Sequence, residues 1–131
     1  MPRFRLSLGL IGGAVMIASS AVHSIFGWRA LAGALADAHV PGELVAALGF
    51  GWRFGGAAML AFGVIVVALF THRLRGSSVT LRPAIVIGLT YVGFGAWALA
   101  ASRFDPFFLI FVVPGALVLT ASLSQPVLRP T

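Results

Sequence analysis

Apolar positions in this chain do not alternate with polar ones at a period of 2 or 3.6. They fall in four long runs separated by short polar breaks, from about Leu6 to Trp28, Leu44 to Phe70, Pro83 to Ser102 and Pro106 to Ser122. A helix needs about 20 mainly apolar residues to cross the hydrocarbon core of a bilayer. Lone strands cannot span lipid because their backbone groups would be unpaired there. The pattern therefore predicts an all-α membrane protein: a four-helix, up-down-up-down bundle forming a single integral domain over residues 1–131. Local signals mark the helix starts. Arg82-Pro83 puts a proline in the first turn of the third helix, where its missing N–H costs nothing. Asp105-Pro106 supplies an acidic N-cap followed by proline at the first helical position. The link Arg103-Phe104-Asp105 is so short that the third and fourth helices must pack as an antiparallel hairpin.

Composition strengthens this reading. Apolar residues make up 60% of the chain and charged residues 9%, with a mean hydropathy of +1.04. A soluble domain carries roughly 25% charged residues. The net charge of +6 comes from nine arginines and no lysine, scattered between the apolar runs. Nucleic-acid binding calls instead for a clustered basic stripe, and nucleic acid is not expected as a partner. Six arginines (Arg3, Arg5, Arg73, Arg75, Arg82, Arg129) belong to the N-terminus, the second loop and the C-terminus, whereas Arg29, Arg53 and Arg103 lie on the other side. The positive-inside rule then places both termini in the cytoplasm, with the chain as a multi-pass protein of a bacterial cytoplasmic membrane. Asp37, Glu43 and Asp105, with Trp28, Trp52 and Trp97, all gather at the outer end. Such clustering suits an interfacial aromatic belt. An alternative takes Arg3, Arg5, the apolar stretch to Ala18 and Ser19-Ser20-Ala21 as a cleavable signal peptide, which would leave three spans.

The chemistry available is sparse. With no cysteine, thiolate metal sites, disulfides and cysteine nucleophiles are excluded. Arg53 interrupts the second run, about 6–10 Å from its helix centre at 1.5 Å per residue. A charge at that depth marks a site unless it snorkels to the interface, where Glu43, Asp37 or Asp105 would be its surface partner. His23, about 9 Å outward of the centre of the first helix, sits at a matching depth with Ser19, Ser20 and Ser24 around it. A neutral histidine bonded to a serine or a backbone carbonyl is one reading; a proton relay, a quinone contact or a metal ligand is the other. Bis-histidine haem is a poor fit, because His39 is in a loop and His72 is at the opposite end. Thr90 and Tyr91 lie near mid-membrane, and so does Pro114, which cannot donate to the Ile110 carbonyl. The word Phe-Gly-Trp-Arg occurs at Phe26–Arg29 and again at Phe50–Arg53. It reads either as a duplicated anion-binding element or as the common interfacial preference of Trp and Arg. Glycines four apart (Gly9/Gly13, Gly51/Gly55) allow close helix approach.

The size resembles that of small multidrug transporters, but the membrane-embedded glutamate of their first helix has no counterpart here. The four-helix eicosanoid and glutathione enzymes are similar in length, yet their acidic and arginine-rich helix signature is missing. The hydropathy outline resembles that of DoxX-type small bacterial membrane proteins, with no shared motif. Three expectations follow. The first is a non-enzymatic membrane protein that binds a lipidic or amphipathic ligand, such as a lipid, a quinone or another hydrophobic small molecule, or serves as an accessory to a partner membrane subunit or as a homo-oligomer. The second is an embedded enzyme or redox accessory with His23 as acid/base, Arg53 as anion clamp and Tyr91 nearby. The third is a transporter whose path forms between protomers. The ligand-binding candidates are His23, Arg53, Tyr91, Trp97, Trp52 and Asp105; no metal site is expected, and the cofactor is left open.

Overall fold

The computed structural model describes residues 3–123, which are helical with no strand among them. Helix α1 (Arg3–Val22) runs through a π-helical turn (His23–Gly27) into α2 (Trp28–Asp37); α3 spans Gly42–Leu74 and α4 spans Arg82–Ala101; a 3-10 turn (Pro106–Phe108) leads into α5 (Leu109–Leu123). Four continuous helical stretches are long and apolar enough to cross a membrane: Arg3–Asp37, Gly42–Leu74, Arg82–Ala101 and Pro106–Leu123. Many large apolar side chains face outward, among them Ile11, Phe26, Phe54, Val64, Val86 and Val113. That surface is apolar where a water-soluble protein would be polar, which is compatible with a multi-pass membrane protein.

The sequence pattern ends the first helix near Trp28, but helix continues to Asp37. Residues 28–37 (WRALAGALAD) are rich in Ala and Leu, the strongest helix formers, and nothing before the turn at Ala38–His39 interrupts them. At 1.5 Å per residue the 35-residue stretch Arg3–Asp37 is about 52 Å long. That exceeds the roughly 30 Å hydrocarbon core. His39 takes a left-handed conformation (φ 54°) in the tight connection to α3.

Helix α1 is the hub. It packs against α3 on one side and α5 on the other, while α4 packs on α5 and scarcely touches α3. Glycine sets the closeness of these contacts. A Cβ on Gly63 would lie 2.9 Å from the Gly13 carbonyl oxygen and 2.9 Å from the Ile17 backbone nitrogen, so α1 and α3 approach backbone to backbone. Gly88 and Gly115 do the same for α4 and α5, each within 3.1 Å of the other's carbonyl oxygen by the same measure. Pro114 is buried, and its carbonyl faces Gly12 of α1. A chain trimmed after Ala21 would lose the helix on which α3 and α5 both rest.

The α4–α5 hairpin turns on Arg103 and Phe104, both with positive φ (58° and 65°). Asp105 then caps the 3-10 turn, its Oδ1 accepting from the Phe107 N–H at 2.9 Å. The closest packing lies toward the N-terminal end of α1, where Met16, Val66, Phe70, Leu81 and Val118 are fully enclosed. Toward the tryptophan end, space remains between α3 and α4 and between the π turn and α5.

Candidate functional site

At the tryptophan end the π turn sets the geometry. The Trp28 N–H donates to the His23 carbonyl five residues back, a register that inserts an extra residue and re-aims the side chains of that turn. π-Helical turns concentrate at functional sites. The His23 carbonyl also accepts a bond from Trp52 Nε1 of α3, at 2.8 Å. The side chains reciprocate: His23 Nε2 lies 3.2 Å from the Trp52 carbonyl oxygen, and the two rings stack with centroids 4.3 Å apart and 5° between planes. A carbonyl can only accept, so a neutral His23 carries its proton on Nε2 and leaves Nδ1 as an acceptor.

Glycines let this clasp close. A Cβ on Gly27 would meet the Trp52 ring at 2.9 Å, and one on Gly49 would meet the Trp28 ring at 2.9 Å. Gly55 and Gly56 lie beneath His23 and Ser24. The Arg53 guanidinium sits 5.6 Å from the centre of the Trp28 ring, a cation–π geometry. The two Phe-Gly-Trp-Arg words therefore meet face to face: Trp52 of the second packs on Gly27 of the first, and Arg53 covers Trp28.

Two cavities flank His23. The smaller, about 210 Å³, opens in the gap between α3 and α4, with Gly55, Phe62, Thr90, Tyr91 and Phe94 in its wall. The larger, about 410 Å³, lies between the π turn and α5, bounded by Ser19, Phe26, Trp52, Phe107 and Ile110. His23, Met59 and Phe111 belong to both walls. Among the described residues, no arginine, aspartate or glutamate lines either cavity. The polar groups are few. Thr90 donates its hydroxyl to the Val86 carbonyl at 3.0 Å. The Tyr91 hydroxyl, like that of Ser122, is buried with no hydrogen-bond partner among the described residues, an arrangement that costs about 1–3 kcal/mol. Ser20 bonds back to the Ile17 carbonyl, whereas Ser19, 4% exposed, makes no such bond. An apolar cleft with a few placed polar groups is the ordinary form of a small-molecule site.

Compared with known protein families, curated proteins and solved structures, this chain has no match. Its function has to be read from this geometry.

The candidate residues do not converge on one point. His23 and Tyr91 share the smaller cavity, and His23 and Trp52 share the larger. Arg53 lies outside both walls and contacts Trp28, not one of the acids. Trp97, 66% exposed, contacts Phe94. Asp105 is an exposed helix cap. No group of three or more His, Asp or Glu residues arranged to hold a metal occurs among the described residues. Sequence reasoning passed over Met59 and Phe111, the partition between the cavities. Apolar residues inside apolar helices give no signal until the helices are paired.

Proposed function

We propose that this chain is an integral membrane protein that binds an uncharged hydrophobic small molecule in the paired cavities beside His23. The observation that carries the reading is the lining of those cavities. They are apolar and free of formal charge, they carry a few polar groups, and they lie at the loosely packed end of the bundle. A ligand dissolved in the bilayer would reach the smaller cavity through the gap between α3 and α4. The arginine distribution orients the bundle with both termini cytoplasmic, so that the cavities open toward the outer leaflet.

An enzymatic reading draws on the shared position of His23 and Tyr91. It lacks the anion clamp that Arg53 was to provide, and His23 Nε2 is already engaged by the Trp52 carbonyl. Transport through a single chain finds little support in the close-packed opposite end, so any route would form between protomers. Binding is therefore the preferred function.

Native mass spectrometry of the protein released from native membrane tests it. A bound mass that organic extraction recovers as an uncharged lipophile is expected, and it should disappear from Ala58→Phe, which fills the smaller cavity. Recovery of the same adducts from wild type and Ala58→Phe would remove the proposal.

A further inference from the structure

The two cavities differ in what they offer, and the difference names a ligand class. The larger is walled by flat rings, with Trp52 stacked on His23 on one side and Phe26, Phe107 and Phe111 around it. Aromatic walls favour a planar ring, which packs against them edge-on or offset. An apolar cavity of about 150 Å³ accommodates benzene, so about 410 Å³ holds a bicyclic ring with a substituent. Within this wall Ser19 is buried and its hydroxyl is uncommitted, in contrast to Ser20 one residue on. The Ser19 O–H has no acceptor among the described residues. The one ionisable side chain of this wall among the described residues is His23, whose Nε2 is engaged by the Trp52 carbonyl, and Arg53 lies outside the wall on Trp28, so a carboxylate or phosphate entering here would be buried without a permanent counter-ion. The partition to the smaller cavity includes Met59, an unbranched side chain that re-packs easily.

We propose that the larger cavity recognises an uncharged, flat-ring lipophile bearing a carbonyl oxygen, with the ring against the Trp52–His23 stack and the oxygen accepting a hydrogen bond from Ser19. A tail on the ring passes Met59 into the smaller cavity and out between α3 and α4 to the lipid. This assignment rests on the ligand-binding reading above and specifies its chemistry.

Three probes of one shape separate the possibilities: 2-acetylnaphthalene (neutral, one carbonyl), 2-ethylnaphthalene (no oxygen) and 2-naphthoate (anionic). The full chain in nanodiscs, with Trp28→Phe and Trp97→Phe so that Trp52 is the only indole, reports occupancy by fluorescence quenching. Saturable quenching by 2-acetylnaphthalene is expected, about three- to tenfold tighter than by 2-ethylnaphthalene, the range for one net hydrogen bond. Ser19→Ala should erase that preference while leaving 2-ethylnaphthalene binding unchanged. 2-Naphthoate should bind at least about tenfold more weakly than the ketone. Ala30→Phe, which fills the mouth of the larger cavity, should abolish saturation by all three. Equal affinity for the ethyl and acetyl compounds, or a preference that survives Ser19→Ala, overturns the role of Ser19. Tightest binding by the naphthoate overturns the uncharged class and leaves the ligand-binding reading standing. Strictly linear quenching by every probe, combined with no co-purifying lipophile, removes both.

Discussion

Trp52 contributes twice to His23, once through its indole N–H and once through its ring face, and substitution separates the two. Trp52→Phe keeps an aromatic face for the imidazole but deletes the 2.8 Å bond to the His23 carbonyl. That carbonyl retains the Trp28 amide, so it is not orphaned. The loss should stay within about 0.5–1.5 kcal/mol, the net value of one hydrogen bond. Trp52→Leu removes the stack as well and should cost about 0.5–1.5 kcal/mol more. Equilibrium unfolding of both variants in mixed micelles of increasing denaturing-detergent fraction measures the two steps. If Trp52→Leu is no less stable than Trp52→Phe, the stack contributes nothing. At this scale the sequence was informative about which residues are unusual. His23 and Arg53 stand out because polar groups are rare in apolar runs. It was uninformative about their partners. Depth along two helices matched Arg53 with His23, yet Arg53 lies on Trp28 and it is Trp52 that holds His23, because side-chain direction around a helix cannot be read from depth alone.

Helix existence is legible for a simple reason: lipid-spanning length and apolar composition are properties of a single segment. Helix pairing is a property of two segments, and the obvious small-residue spacing misled in part. Gly9 and Gly13 do pack, against Phe70 and against Val66 and Val67, but Gly51 meets nothing within 4 Å. The glycines of α3 that approach the first helical stretch more tightly than ordinary contact are Gly49, Gly56 and Gly63, seven apart, whereas Gly55 meets His23 at an ordinary 3.5 Å. Residues seven apart return to nearly the same helix face, so this stripe is visible once a period of seven is sought instead of four. The π turn has no comparable sequence signal, since an i to i+5 register depends on what the turn packs against. The stripe predicts a contrast between two identical substitutions. Gly63→Ala places a methyl group 2.9 Å from backbone atoms of α1, which cannot move aside as a side chain can. It should destabilise by about 1–3 kcal/mol, the usual cost of overpacking. Gly51→Ala, in open surroundings within the same helix, should be neutral or stabilising by up to about 1 kcal/mol. The same micelle unfolding measures both, and equal effects would show that the close approach of α1 and α3 is not what holds the pair together.

Across the whole molecule, packing and charge share one polarity. The enclosed core lies toward the N-terminal end of α1, beside Arg3, Arg5, Arg73, Arg75 and Arg82; the cavities lie at the end that carries Asp37, Glu43, Asp105 and the three tryptophans. Arg129, counted in the same bias, falls outside the described residues. A cavity that takes a ligand must sit where helices can part. The cavities lie away from the enclosed core, so the sequence-level asymmetry of charge and the structural asymmetry of packing point to the same end. Which membrane face that end meets rests on arginine bias alone, and the absence of cysteine makes it directly measurable. Ala38→Cys places a thiol in the exposed turn between α2 and α3, and Ser77→Cys places one in the exposed loop between α3 and α4. A membrane-impermeant maleimide applied to intact cells should label Ala38→Cys and leave Ser77→Cys unlabelled until the membrane is permeabilised. The reverse pattern would turn the bundle over and put the cavities in the cytoplasmic leaflet. Labelling of both thiols in intact cells would mean that α3, which connects the two positions, does not cross the membrane at all.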